Sequence, residues 1–232
     1  MPPKNIKKKE DTKAKNFNEV TKNILNWPKL SLKSNLELQT ILSNQILIIN
    51  SFFTSEECAE TINFINNNIP LQSTANPSPK KGEAFRNNHR FSIEDKNFSR
   101  VLFNSGLDLL VSDWKSGEKT VSGLNHNIRI YKYCIGQKFG KHYDVSVKDS
   151  LGSLSQWTLL IYLNGGEGES EYPLLGGETV FYKSKKDNNG ITIKPQRGMA
   201  LLHLHGHECL LHEGKEVKKG SKYVLRSDLM FS

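Results

Sequence analysis

The chain has 232 residues, of which 36% are hydrophobic and 24% charged, and a formal net charge of +8. That length suits one sizeable core or a core plus a short tail. No run approaches the ~20 apolar residues of a membrane helix, since the best candidate, Ile41 to Ile49, is broken by Ser43, Asn44 and Gln45.

The N-terminus carries Lys4, Lys7, Lys8, Lys9, Lys13 and Lys15 against only Glu10 and Asp11, with no apolar stretch behind them. Residues 1–20 are therefore expected to be a disordered, basic arm and not a secretion signal. Nucleic-acid binding or nuclear import is the functional alternative for such a run. Cys58, Cys134 and Cys209 are odd in number, far apart and without a CxxC pair. They speak against disulfides or a cysteine zinc site and for a reducing, intracellular setting, cytoplasmic or nuclear.

A strand is expected at Gln45 to Ile49, then a helix capped by Thr54 or Ser55, with Glu56 and Glu57 in its first turn and an apolar face of Cys58, Ile62, Phe64 and Ile65. Pro70 to Gly82 reads as a loop. Asp95 to Val111 reads as a second helix, with Phe98, Val101, Leu102, Leu107 and Leu110 at helical spacing. After Gly123 the pattern changes to short β-rich runs: Ile128–Ile135, Trp157–Leu163, Thr179–Tyr182, Ile191–Ile193, Met199–His203, Glu208–Leu211 and Lys222–Phe231. Many short strands separated by Gly and Asn turns predict a sandwich, barrel or jelly roll. The expected fold class is thus α+β with a mainly β core. Residues 21–122 are read as helical support and residues 123–232 as a double-stranded β-helix.

His142-Tyr143-Asp144 carries the chemistry. In an extended backbone residues i and i+2 share a face, so the imidazole and the carboxylate project side by side. With one distant histidine they make the 2-His-1-carboxylate arrangement of non-haem Fe(II) oxygenases, which leaves open positions on the metal. Four histidines near the C-terminus compete for the distal position: His203, His205, His207 and His212. The first three alternate and are expected on one strand face, so a zinc site built with His212 is an alternative. His212 is followed ten residues later by Lys222, at the start of a new strand. A dianionic co-substrate needs such a cation, because an unpaired buried charge is costly.

From about Asn127 to Phe231 the chain resembles the prolyl 4-hydroxylase-like branch of the Fe(II)/2-oxoglutarate oxygenases. The matching segments are Tyr133 to Asp144 (YCIGQKFGKHYD), Trp157 to Asn164 (WTLLIYLN), Gly176 to Phe181 (GGETVF), Gly198 to Leu202 (GMALL), His212 and Lys222. Ile46 to Ile65 resembles the strand and helix that lead into that fold. The resemblance implies Fe(II) on His142, Asp144 and His212, and 2-oxoglutarate held by Lys222 with help from the Tyr162 hydroxyl. It places Tyr133 near the co-substrate, and Thr179 and Leu160 on the pocket wall. Fe(II), 2-oxoglutarate and O₂ are the implied cofactors, with ascorbate as an optional reductant. Arg226 departs from the family pattern. By alternation it shares the face of Lys222, and it can assist the co-substrate, bind an acidic part of the substrate, or pair with Asp228. Arg86 to Arg90 (RNNHR) can contact substrate or be a plain exposed loop.

The expected function is hydroxylation of a C–H bond on a prolyl or other residue of a protein, with release of succinate and CO₂. Oxidative demethylation of nucleic acid, hydroxylation of a small molecule, and an inactive binding module on the same fold are the competing readings. No membrane partner is expected.

Overall fold

Strands dominate the computed structural model, which describes residues 25–74, 79, 83–166, 168–184 and 186–232. The expected basic arm lies outside the described residues. The first described segment leads into a hairpin of β1 (Gln39–Leu42) and β2 (Ile46–Ile49). Asn44 turns it at φ 55°, a left-handed conformation asparagine tolerates. Helix α1 (Ser55–Asn68) opens on the capping box foreseen at Thr54: its hydroxyl accepts from Glu57 N at 3.2 Å, and Glu57 Oε2 accepts from Thr54 N at 2.9 Å. Glu57 Oε1 also accepts from the Lys33 ammonium at 2.8 Å, tying the preceding segment to the helix.

After β3 (Gln72–Ser73) and β4 (His89–Glu94), the second expected helix begins on its Asp95 cap but does not run through. It divides into α2 (Lys96–Leu102), a π-type turn at Phe103–Leu107, and α3 (Asp108–Val111). Gly106 adopts φ 126° there, and a Cβ on it would collide with the Lys33 carbonyl. The Lys33 amide meanwhile donates to Ser105 O at 3.0 Å. A crossing segment therefore breaks a helix whose apolar spacing is continuous.

Two more strands, β5 (Lys115–Ser116) and β6 (Lys119–Leu124), precede the core. Residues 21–122 thus contribute strands as well as helices. These strands extend the edges of the large sheet, where short, mixed-polarity sequences suffice and alternation is weak.

The remaining strands are β7 (Asn127–Tyr133), β8 (Phe139–His142), β9 (Leu154–Tyr162), β10 (Leu174–Gly176), β11 (Thr179–Tyr182), β12 (Ile191–Ile193), β13 (Ala200–Leu204), β14 (Leu211–Gly214), β15 (Val217–Gly220) and β16 (Lys222–Phe231). The run expected as a strand at Glu208–Leu211 instead starts with a 3₁₀ turn, Gly206–Glu208, and pairing begins only at Leu211. Gly206 at φ 80° turns the chain, and its amide donates to Asp144 O at 3.0 Å.

The large sheet runs β1-β2-β13-β9-β16-β7-β4-β3, with β6 joined to β16 and β5 to β6. The smaller sheet runs β12-β11-β14-β8, and β10 pairs with β15 as a separate ribbon. Its pairs are antiparallel, like those of the large sheet. Four strands of each sheet, β7-β16-β9-β13 and β8-β14-β11-β12, make a double-stranded β-helix, or jelly roll. The outer face of the large sheet, with Ile128, Ile130, Leu159, Ile161 and Leu225, packs on Ile62, Ile65 and Leu102 of the helices. Its inner face, with Tyr131, Tyr133, Tyr162, Leu201 and Val224, packs on Phe181 of the smaller sheet.

Candidate metal centre

Sheet register decides which side chains meet between the two sheets. On β16, Lys222, Val224, Arg226 and Asp228 alternate inward. Lys222 pairs with Tyr133, Val224 with Tyr131 and Tyr162, Arg226 with Arg129 and Leu160, and Asp228 with Thr158, which in turn pairs with His203. The inner face therefore grades from a tyrosine-lined end holding Lys222 to a polar end holding Arg226, Asp228, Thr158 and His203.

The smaller sheet supplies the other side. His142 pairs with His212, which pairs with Phe181. Asp144 follows β8 by two residues, with its amide donating to Cys209 Sγ at 3.3 Å. The ligating atoms of His142, Asp144 and His212 all lie within 4.8 Å of one another. His142 Nδ1 bonds the Gly140 carbonyl and His212 Nδ1 the Leu210 carbonyl, each at 2.9 Å. Those bonds place the proton on Nδ1, so each Nε2 lone pair faces the cavity. Such outer bonds orient imidazole ligands. The Nε2 atoms stand 3.7 and 3.8 Å from the Asp144 oxygens.

Electrostatics favour the same use. Burial pushes the His142 imidazole down to about 4, with His212 adding to it. Burial likewise lowers His203 and His212. The three rings are neutral at neutral pH, the form that binds a metal, so their approaches to Asp144 are not ion pairs. Burial by itself would raise the Asp144 carboxyl, but the Arg226 guanidinium beside it holds it well below the usual carboxylate range. Two neutral nitrogens and one anionic oxygen, aimed at a common point, fit a divalent iron with open positions.

Of the competing histidines, His205 is turned onto Thr158 and Ser155, at 2.9 Å each, and His207 is exposed on the 3₁₀ turn. The expectation that His203, His205 and His207 share a strand face fails because β13 ends at Leu204. His203 does reach the centre: its Nε2 is 3.6 Å from Asp144 Oδ2, and neither ring nitrogen has a hydrogen-bond partner. His203, Cys209 and His212 form a second cluster of donors. Burial pushes the Cys209 thiol up to about 11, which opposes the thiolate a metal needs.

Lys222 is buried; its ammonium donates to the Gly177 carbonyl at 2.6 Å and lies over the rings of Tyr162 and Tyr133 at 5.0 and 5.6 Å. The Tyr162 hydroxyl is hydrogen-bonded to Thr179 at 2.7 Å beside it. A small inner pocket of about 50 Å³ joins Lys222, Tyr133, Thr179 and Leu160 to the metal donors. A wider cavity of about 680 Å³ shares His142, Asp144 and Arg226 with it. The metal donors thus form the neck between a narrow chamber and a wide mouth.

Arg226 resolves toward pairing. Its Nη2 is 3.1 Å from Asp144 Oδ2 and 3.2 Å from Asp228 Oδ1. Asp228 also pairs with Arg129 at 3.3 Å. Thr158 donates to Asp144 Oδ2 at 2.9 Å and meets His205 Nδ1 at the same distance. Thr158, Arg129 and Tyr131 were not singled out by sequence reasoning. Their signal was present as inward alternation on β7 and β9, but two short runs do not reveal their pairing register.

Residues 128–227 match the family described as the 2OG-Fe(II) oxygenase superfamily. The chain is 27% identical over 188 residues to "Probable prolyl 4-hydroxylase 9" of Arabidopsis thaliana, an alignment covering 75% of this chain and 64% of that relative. The chain thus spans less than two thirds of the relative's length. Among solved structures, a Trichoplax adhaerens prolyl hydroxylase in complex with a hypoxia inducible factor peptide fragment superposes with TM-score 0.58 at 18% identity, covering 81% of this chain and 84% of that one. A Pseudomonas putida prolyl-4-hydroxylase does so with TM-score 0.51 at 13% identity, covering 81% and 92%. The match to the 2OG-Fe(II) oxygenase superfamily thus falls on the stretch that carries His142, Asp144, His212 and Lys222. The curated relative and the solved structures it is similar to carry prolyl hydroxylase names, and the latter share its fold.

Proposed function

We propose that this protein is an Fe(II)- and 2-oxoglutarate-dependent dioxygenase that hydroxylates a prolyl residue of a protein substrate, releasing succinate and CO₂. The observation that carries it is the convergence of His142, Asp144 and His212 at the neck, with a buried Lys222 in the chamber behind that has no carboxylate within ion-pair distance among the described residues. His142, Asp144 and His212 would hold the metal. Lys222 anchors the far carboxylate of 2-oxoglutarate, with Tyr162, Tyr133, Thr179 and Leu160 shaping the chamber. Fe(II) with 2-oxoglutarate and O₂ supplies oxidising power sufficient for an unactivated C–H bond.

The chain's own groups set the geometry. Arg226 and Thr158 fix the Asp144 carboxylate, the Nδ1 bonds fix both imidazoles, and the wide mouth presents the substrate's C–H bond to the metal. Ascorbate is the proposed accessory reductant.

Purified protein with Fe(II) and 2-oxoglutarate should release succinate slowly without a prime substrate and show a metal-to-ligand charge-transfer band under anaerobic conditions. His142→Ala and Asp144→Ala should lose both. A native-folded protein with neither signal would refute the reading.

A further inference from the structure

The wide mouth is lined by four arginines, and the sheet register explains three of them. Arg90 on β4 pairs with Tyr131, Arg129 on β7 pairs with Arg226, and Arg226 lies on β16, so three neighbouring strands aim guanidinium groups at one cavity. Arg86 comes from the segment that pairs with Phe139, with Phe85 O accepting from Gly140 N at 2.8 Å. Its guanidinium stacks over Phe139 and Tyr131 at 4.5 and 4.7 Å.

Like charges in a shared cavity repel, so such a cluster persists only when anions balance it. Arg129 and Arg226 have their anions in Asp228 and Asp144. Arg86 donates to the Asn88 amide oxygen at 2.8 Å and also bonds the Tyr131 and Tyr133 hydroxyls, while its Nη2 is buried without a hydrogen-bond partner among the described residues. Neither Arg86 nor Arg90 has a carboxylate partner among the described residues. The field is strong enough to act on Tyr131: burial should raise its hydroxyl pKa, yet Arg226, Arg86 and Arg129 pull it down. The same cavity is also lined by Glu83 and by the exposed side chains Tyr143, Val145 and Val147. Its walls thus offer apolar side chains for a ring or aliphatic group and, in Arg86 and Arg90, guanidinium groups with no carboxylate partner among the described residues.

We propose that the prime substrate carries a carboxylate close to the hydroxylated carbon, and that Arg86 and Arg90 bind it. An acidic peptide, with Asp or Glu within a few residues of the target proline, is the form that suits a 680 Å³ mouth with an apolar rim. The same carboxylate chemistry is offered by a free amino acid. The inference rests on the oxygenase reading above and deepens it. Guanidinium–carboxylate pairing is bidentate and charge-assisted, so it discriminates against the neutral isostere.

The test uses the full chain loaded with Fe(II) and 2-oxoglutarate. Succinate release and substrate mass are read for proline peptides flanked by Asp or Glu, by Asn or Gln, or by Lys, for free proline and free glutamate, and for a single-stranded oligonucleotide. Acidic peptides should exceed their amide isosteres by about tenfold in kcat/KM. Arg90→Gln and Arg86→Gln should each reduce that ratio severalfold through KM, and Arg90→Lys should restore part of it. Preference for a free amino acid would support the carboxylate claim and reassign its source. Equal turnover of acid and amide peptides, or preference for Lys peptides or the oligonucleotide, would overturn it while leaving the oxygenase reading intact. Succinate release with no dependence on any added compound would also overturn it. Absence of the charge-transfer band would instead sink the oxygenase reading.

Discussion

Lys222 titrates where function can be read. Burial pushes its pKa from the ordinary 10.5 to about 7, with Glu178 opposing the fall. Its ammonium has a carbonyl and two aromatic faces but no carboxylate within ion-pair distance among the described residues. A bound 2-oxoglutarate would supply that carboxylate and restore the charged form. The free protein then lacks the proton above pH 7 while the complex keeps it. Affinity should therefore fall about tenfold per pH unit above about 7, or roughly 100-fold by pH 9. Anaerobic calorimetry with Fe(II), in two buffers of different ionisation enthalpy, reads both the affinity and the proton taken up. Lys222→Met should lose roughly 10- to 150-fold in affinity at pH 7 and the pH slope with it.

The ligand-free protein supplies a second readout of the same residue. A lysine whose folded pKa is depressed costs stability in its charged form. That cost is complete below about pH 7, fades as pH rises, and vanishes above about 10.5. Its upper bound is about 5 kcal/mol. Lys222→Met should therefore raise the ligand-free Tm near pH 6 to 7, by an amount that shrinks toward pH 10. A pH-independent affinity, or a Met variant that binds 2-oxoglutarate normally, would refute the reasoning and point to Arg226 as the anchor.

Arg226→Gln should weaken metal binding about 10- to 100-fold, measured by equilibrium dialysis, because Asp144 loses the group that orients it; unchanged metal affinity would count against that role. Thr158→Val removes a hydrogen bond to Asp144 and leaves His205 Nδ1 short of a partner, and should cost about 1 to 3 kcal/mol in urea unfolding. Thr54→Ala should cost about 1 kcal/mol by the same measurement, through loss of the α1 capping box. Ile161→Ala, on the fully packed outer face of the large sheet, should cost about 2 to 5 kcal/mol.

Much of this protein is written locally. Thr54 with Glu57 three residues on is a helix start in any context, and the structure uses it as such. The runs Thr179–Tyr182, Ile191–Ile193 and Lys222–Phe231 are strands at the bounds their residues indicate, because β-branched and aromatic residues between turn formers leave few alternatives. The HxD spacing likewise brings an imidazole and a carboxylate together by backbone geometry alone.

Other features depend on what lies across the fold. The break at Gly106 arises from the Lys33 segment crossing it, 73 positions away in sequence by subtraction of the two residue numbers. Lys222, ten residues on, already favours His212 among the four histidines; what the other three do depends on β13 stopping at Leu204 and on a 3₁₀ turn that leaves His207 exposed. Arg226 reads equally well as a co-substrate anchor, a substrate ligand or a partner of Asp228 until strand pairing sets it beside both Asp144 and Asp228. Alternation along one strand says which face a residue takes. Only register between strands says whom it meets there, and the metal centre and the arginine-lined mouth are both products of register.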